Sequence, residues 1–357
     1  MIILIFHVGE YYGTGYVWLP QGSYAVEFFF IVSGYFMCVS ANKMTLSQEA
    51  GNRNQTLGKE TISFILKKIK GILPAYLFAY AISLIVWLTY VGAPLYTKSG
   101  LHALIRKLVG ILPNFLLIFN SAVKGTAIMN ISWYISAMLA AMLIIYPLLR
   151  KYNDVYRLVI APAVVLFLTG FVYYNCESYG GYLDFEVFTT KGVIRAFIGL
   201  NIGCLVYSFA QYLRKVSFTV LSRVLLLIGE LGLYGVIICL MQTQWKEAPY
   251  FITILLFFAI SITCSKCSIW ASALDNKVSV FLGRTTLFVY LCQSSARQLV
   301  WRNMPDATYH QAFVGIVGLT IVLTAVGMLL TKGISIIYNK NKASLVRLFI
   351  GKDLENE

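Results

Sequence analysis

The run Gln311-Ala-Phe-Val-Gly-Ile-Val-Gly-Leu-Thr-Ile-Val-Leu-Thr-Ala-Val-Gly-Met-Leu-Leu330 contains no ionisable residue. Wound as a helix at 1.5 Å per residue it covers about 30 Å, the hydrocarbon thickness of a bilayer. A helix this apolar all round needs lipid or a protein interior on every side. Comparable runs recur outward from it, and the pattern predicts spans near 1–10, 22–41, 72–92, 131–149, 156–175, 193–212, 219–241, 250–265, 279–301 and 311–337. The fold class expected is therefore an all-α integral membrane protein, a bundle of about ten transmembrane helices. The composition agrees: 357 residues, 59% hydrophobic and 12% charged, where a soluble domain carries about 25% charged residues. The runs leave no room for a separate soluble domain. The reading is a membrane domain over residues 1–338, a polar cytoplasmic tail over 339–357, and a multi-pass protein of the cell membrane. Only Met1 to Phe6 precede His7 in the first run, so the first helix reads as truncated and a start upstream of Met1 is expected.

The net charge of +14 would suggest nucleic acid in a soluble protein. Here no basic module lies outside the spans, and a nucleic-acid partner is not expected. With a cytoplasmic N-terminus, twenty of the 29 Lys and Arg fall in inside segments, which is the positive-inside bias. Both termini are then cytoplasmic. Residues 42–71 form a basic inner loop. Residues 93–130 form an outer stretch whose apolar part, 101–119, is broken by Arg106, Lys107 and Pro113; it is expected to lie in the interface or to dip in and return, and is not counted as a span. Cys264 and Cys267 make a lone CxxC with no second pair and no nearby histidine, so a metal site is not expected.

His7 falls at the outer end of the first span and Glu27 near the outer end of the second, directly before Phe28-Phe-Phe-Ile-Val32. An ionisable group at membrane depth is costly and is a functional candidate by default. Histidine suits general-base work near neutral pH, and a carboxylate beside it would orient the ring. His7 and Glu27 are thus expected to pair, against the plainer alternatives of an interfacial histidine and a structural polar bridge. Tyr11, Tyr12, Tyr16, Trp18 and Tyr24 crowd the first outer loop, where they either face a sugar ring or form the aromatic belt of the membrane surface. Glu230, Arg284 and Arg297 also fall within spans. Glu230 needs a partner inside the bundle, and it would suit the rival reading, a polytopic transporter or glycan exporter without acyl-transfer activity.

The segment Val26-Glu-Phe-Phe-Phe-Ile-Val-Ser-Gly-Tyr35 resembles the second-helix signature of the acyltransferase-3 family, polytopic membrane enzymes that O-acylate sugars and surface polysaccharides. His7 stands where that family keeps its essential histidine. Phe64-Ile-Leu-Lys-Lys-Ile-Lys-Gly-Ile-Leu-Pro-Ala-Tyr76, Ser132-Trp-Tyr-Ile-Ser136 and Phe281-Leu-Gly-Arg-Thr-Thr-Leu-Phe-Val-Tyr-Leu291 are similar, in order, to three further family segments. Departures stand beside them: Met138 near a usual glutamate, Gln293 for a frequent histidine, and no arginine eleven positions before His7. The resemblance implies His7 as general base, with Glu27 stabilising its protonated form, and acyl-CoA (acetyl-CoA first) as cytoplasmic co-substrate. Lys67, Lys68, Lys70, Arg150 and Lys151 would receive its phosphates, although such clusters also follow from the positive-inside rule or from anionic lipid. The acceptor would be a glycan or other hydroxylated molecule meeting Tyr11, Tyr12, Trp18 and Trp133, with Ser33 or a nearby amide stabilising the oxyanion.

Overall fold

A computed structural model describes residues 2–12, 17–49, 51, 55–119, 121, 123, 125–181, 184–186, 189–270 and 274–353, with side chains except those of 10, 11 and 338–353. The helices, in chain order, are α1 (Ile2–Tyr12), α2 (Ala25–Glu49), α3 (Leu57–Trp87), α4 (Ala93–Phe115), α5 (Trp133–Lys151), α6 (Ala161–Asn175), α7 (Lys191–Lys215), α8 (Val220–Gln242), α9 (Ala248–Ser265), α10 (Lys277–Asn303) and α11 (Tyr309–Asp353). A small hairpin, β1 (Phe185–Glu186) paired antiparallel with β2 (Thr189–Thr190), precedes α7.

Among the described residues, eight helical stretches are long and apolar enough to cross a bilayer, rather than ten. The two remaining expected spans are helical but fall short for physical reasons. Eleven residues make up α1, which is too few, and α10 is long enough at 27 residues but too polar on average, with Arg284, Gln293, Arg297 and Arg302 along it. The apolar stretches of α6, α8 and α11 are only 17%, 17% and 22% buried in the protein. Apolar surface of that extent is compatible with hydrocarbon around it and not with water, so the molecule is a multi-pass membrane bundle.

The outer stretch does not break where its interruptions stand: α4 runs helically through Arg106, Lys107 and Pro113. Gly100 takes a left-handed φ of 75° and breaks α4, a conformation that costs glycine least. The second half is then tied to the start of α5 through the buried Asn114. Its Nδ2 donates to Ser132 Oγ at 2.7 Å, its Oδ1 accepts from Met129 N at 3.3 Å, and the Tyr76 hydroxyl donates to its carbonyl.

The centre of the bundle is the crossing of α2 with α7. A Cβ on Gly34 would sit 2.2 Å from the Leu200 carbonyl oxygen, and one on Gly203 2.2 Å from that of Ile31. Small residues let two helices in a membrane approach to backbone contact. A Cβ on Gly199 would meet Phe30 Cβ at 2.5 Å, so the first turns of α2 and α7 are held side by side. That register sets the polar chemistry at one face of the bundle.

Candidate active site: a histidine–arginine chamber and a basic cleft

Two cavities lie at opposite ends of α2 and α5. The first, about 330 Å³, is lined by His7 and Phe6 of α1, Ser23, Val26 of α2, Trp133 of α5, Gly181, Arg195 of α7, and Tyr290 and Arg297 of α10, with Ile3, Asn130 and Ile131 completing it. The turn that leads into α2 is pressed onto α1: a Cβ on Gly22 would lie 2.9 Å from Phe6 Cβ. His7 is half-buried. Arg297, buried and one face of α10 away, places Nη1 3.0 Å from His7 Nδ1. A guanidinium only donates. Nδ1 therefore carries the lone pair in this contact, and the ring's proton sits on Nε2.

Glu27 does not pair with His7, which corrects the sequence expectation. It is fully buried and takes Arg195 instead: Nε donates to Oε1 at 2.7 Å, and Nη2 lies 2.7 Å from the same oxygen. The cause is the glycine crossing, which brings the first turn of α7 closer to Glu27 than α1 comes. Arg195 also donates from Nη1 to the Gly181 carbonyl at 3.0 Å. Its guanidinium is ringed by Trp133, Tyr179 and Tyr24, at 5.1, 5.6 and 5.8 Å from their centroids. Such a cage adds cation–π attraction to a buried, hydrogen-bonded ion pair. Burial holds the Tyr179 hydroxyl well above the usual tyrosine range, so it remains protonated.

The acceptor-side candidates divide. Trp133 lines the chamber. Tyr12 is buried in a satellite core with α10 and α11, its hydroxyl donating to the Met304 carbonyl at 3.2 Å. Trp18 is 52% exposed and outside the chamber lining. Ser33 lies further along α2, its Oγ 3.4 Å from the Tyr134 hydroxyl. The side chain of Tyr11, and the whole of Tyr16, fall outside the described residues. Glu230 finds hydroxyls rather than an arginine, accepting from Thr263 at 2.5 Å and Ser268 at 2.8 Å.

The second cavity, about 630 Å³, opens at the other face between α2 and α3 and is floored by Tyr146 of α5. Lys67 and Lys68 line it, and so does Lys43, which the sequence reading had not singled out. Lys70 borders a neighbouring depression with Lys59 and Lys67. Arg150 stands apart: it binds Glu60 through Nε at 2.5 Å and Nη2 at 3.0 Å, and donates to Thr45 and Gln48. Tyr146 donates to the same carboxylate at 2.7 Å. Arg150 thus fixes the α2–α3–α5 corner of the cleft. Lys151 lies over the Tyr152 ring at 5.0 Å, outside the cleft lining.

Arg195, like Lys43, is a site residue that the sequence reading does not single out. Its signal was present: a cation three positions into the expected span 193–212, four before the first glycine of Gly199-x-x-x-Gly203. Charge inside a span and a small-residue repeat each point to an interior helix face.

Fold and chamber together define a multi-pass membrane protein with an imidazole and two guanidinium groups in a cavity at one face and a lysine-lined cleft at the other. The chain belongs to the acyltransferase-3 family: the family model, described as an acyltransferase domain, matches residues 1–336. No curated protein and no solved structure matches the chain.

Proposed function

We propose that the protein is an O-acyltransferase that moves an acyl group, acetyl first, from cytoplasmic acyl-CoA to a hydroxyl of a surface polysaccharide or other glycan, with His7 as general base. The observation that carries the reading is the placement of His7 in a cavity shared with Arg195, Arg297 and Trp133. Lys43, Lys67 and Lys68 around the opposite cleft supply the point charges that CoA phosphates require.

The chemistry follows from the His7–Arg297 contact. The acceptor hydroxyl displaces Arg297 from Nδ1 and hydrogen-bonds there. Nδ1 takes its proton as the oxygen attacks the thioester carbonyl carbon. Arg297, released from the ring, donates to the oxyanion that forms. The C–S bond then breaks, and the CoA thiolate leaves with the proton from the imidazolium. Glu27 serves this scheme as a positioning residue: it holds Arg195, which with Trp133 forms the chamber wall that would meet the acceptor.

The test is the O-acyl ester content of surface glycan in deletion cells complemented with wild type or with His7→Ala. Loss on deletion, rescue by wild type and failure of a normally expressed His7→Ala protein are expected, because general-base catalysis contributes about 10²–10⁴-fold. Retention of most ester by His7→Ala would refute the scheme. Equal ester in all strains would remove surface glycan as the acceptor.

A further inference from the structure

A third cavity, about 860 Å³ and almost wholly apolar, runs along the lipid-facing side of the bundle. It lies between α6 and α9, which both pack on α7 and leave a gap over Ile202 and Leu205. Its walls run from Tyr173 back to Val165 on α6 and from Tyr250 to Phe258 on α9. Eight helical steps on each side give a length of about 12 Å. One leaflet of hydrocarbon is about 15 Å deep, half of a core of about 30 Å. The groove begins at the face that carries His7, where Trp245, Tyr173, Tyr179 and Tyr250 gather. It therefore matches one leaflet, the one on the His7 side.

At that end the groove meets the chamber across a single aromatic ring. Tyr179 lines the groove, is 1% exposed, and packs edge-on against Tyr250 at 5.2 Å and Tyr24 at 5.8 Å. Its other neighbour is the guanidinium of Arg195, which lines the chamber. The Tyr179 hydroxyl faces Thr253 but forms no hydrogen bond of normal length and geometry, and a buried phenol without a partner is costly. Thr253 donates to the Pro249 carbonyl at 2.8 Å, which leaves its oxygen facing Tyr179 as an acceptor only.

From this continuity we infer that the groove seats the hydrocarbon chain of a lipid-linked glycan, placing its sugar at Tyr179 and the His7 chamber. The inference deepens the acyltransferase reading and rests on it: the acceptor reaches His7 from the membrane as an amphiphile, not as a free sugar from solution. The occupant is a lipid because the groove opens to the hydrocarbon layer and its lining offers almost nothing polar below the aromatic end. It is a sugar-headed lipid because the groove ends at the aromatic wall of the chamber.

The test uses wild-type protein in nanodiscs and a long-chain alkyl glucoside carrying a diazirine at the chain end. Photolabel is expected on Val165, Leu166, Phe257 and Phe258. Unlabelled alkyl glucoside should compete it away, and an equal amount of phosphatidylcholine should not. Label spread evenly over α8 and α11, label absent from the groove, or equal competition by phosphatidylcholine would each overturn the inference, the last by making the groove a general lipid seat. A second measurement compares acyl transfer to alkyl glucoside and to glucose in Thr169→Trp, with Thr169→Val as the control that keeps the groove open. Each methylene denied burial costs about fourfold, so exclusion of two raises KM for the alkyl glucoside on the order of tenfold while transfer to glucose is unchanged. An unchanged KM would also overturn it. If wild type transferred to no acceptor, the acyltransferase reading would fail, while the photolabel map would still decide the groove.

Discussion

One imidazole and two arginines set the terms at the scale of residues. Arg297 donates to His7 Nδ1 at 3.0 Å, which occupies the lone pair a base needs. In the proposed chemistry this contact opens, and the same guanidinium then stabilises the oxyanion. Arg297→Met should therefore cost turnover although it uncovers the base. A loss of about 10²–10³ in kcat, the usual effect of removing one oxyanion donor, is expected in single-turnover acyl transfer; a faster enzyme would make Arg297 a restraint only. Glu27 is expected to fail differently. Glu27→Gln leaves Arg195 buried without its counter-charge, and breaking such a pair costs about 3–5 kcal/mol. The variant should melt at clearly lower temperature in detergent, with Glu27→Gln/Arg195→Met closer to wild type than the single change. His7 and Glu27 were legible in the sequence because ionisable groups in apolar runs are conspicuous. Their partners were not, since both partners sit on helices more than 160 positions away, and spacing along the chain carries no record of which helices touch.

Helix against helix, the decisive contact is the glycine crossing of α2 and α7. It explains why Glu27 meets Arg195: with Gly34 against the Leu200 carbonyl and Gly203 against that of Ile31, no side chain separates the two backbones, and the first turns are forced together. Gly34→Ala puts a methyl 2.2 Å from a carbonyl oxygen, a backbone clash that no rotamer relieves. Overpacking of this kind costs about 1–3 kcal/mol. A lower melting temperature, together with weakened transfer because Arg195 moves from the chamber wall, is the expected outcome; an unchanged melting curve would show that the helices separate freely. Most elements were legible at this scale, because an apolar run long enough to cross a bilayer can hardly be anything but a helix. The break in the outer stretch was not placed by Arg106, Lys107 and Pro113, which stand inside helix; it falls at Gly100, ahead of the apolar part 101–119. The small-residue repeat in α7 was equally visible but was not read, and α10 shows the converse limit. Its length was plain, but its arginines and Gln293 take it below the apolarity of a lipid-facing helix, as befits a helix that lines the chamber with Arg297 and Tyr290.

The whole molecule poses a problem of two openings. The chamber touches α5 at Trp133 and the cleft touches it at Tyr146, thirteen residues or about 20 Å of helix apart. Between them α2 and α5 are packed solid by Phe30, Met37, Tyr134, Met138 and Met142, all buried. In the proposed reaction a donor at the lysines and an acceptor at His7 would approach from opposite sides of the membrane, and the acyl group would have to pass side chains that are closed in this structure. Unbranched methionines are suited to such a wall, since they repack with little strain. This arrangement works only if the lysine cleft faces the cytoplasm, where acyl-CoA is made available, as the positive-inside bias implies. Orientation is thus the property on which the rest depends, and impermeant maleimide labelling above the native cysteine background reads it. Lys67→Cys lies exposed at the cleft and Gln244→Cys exposed in the turn between α8 and α9 beside the His7 face. In intact cells Gln244→Cys should label and Lys67→Cys should not, and permeabilised cells should label both. The reverse pattern would put the lysines outside, where they could meet anionic glycan but not CoA, and His7 inside, where no surface polysaccharide reaches it; the direction of transfer proposed here would then be untenable, even with every contact in the chamber intact.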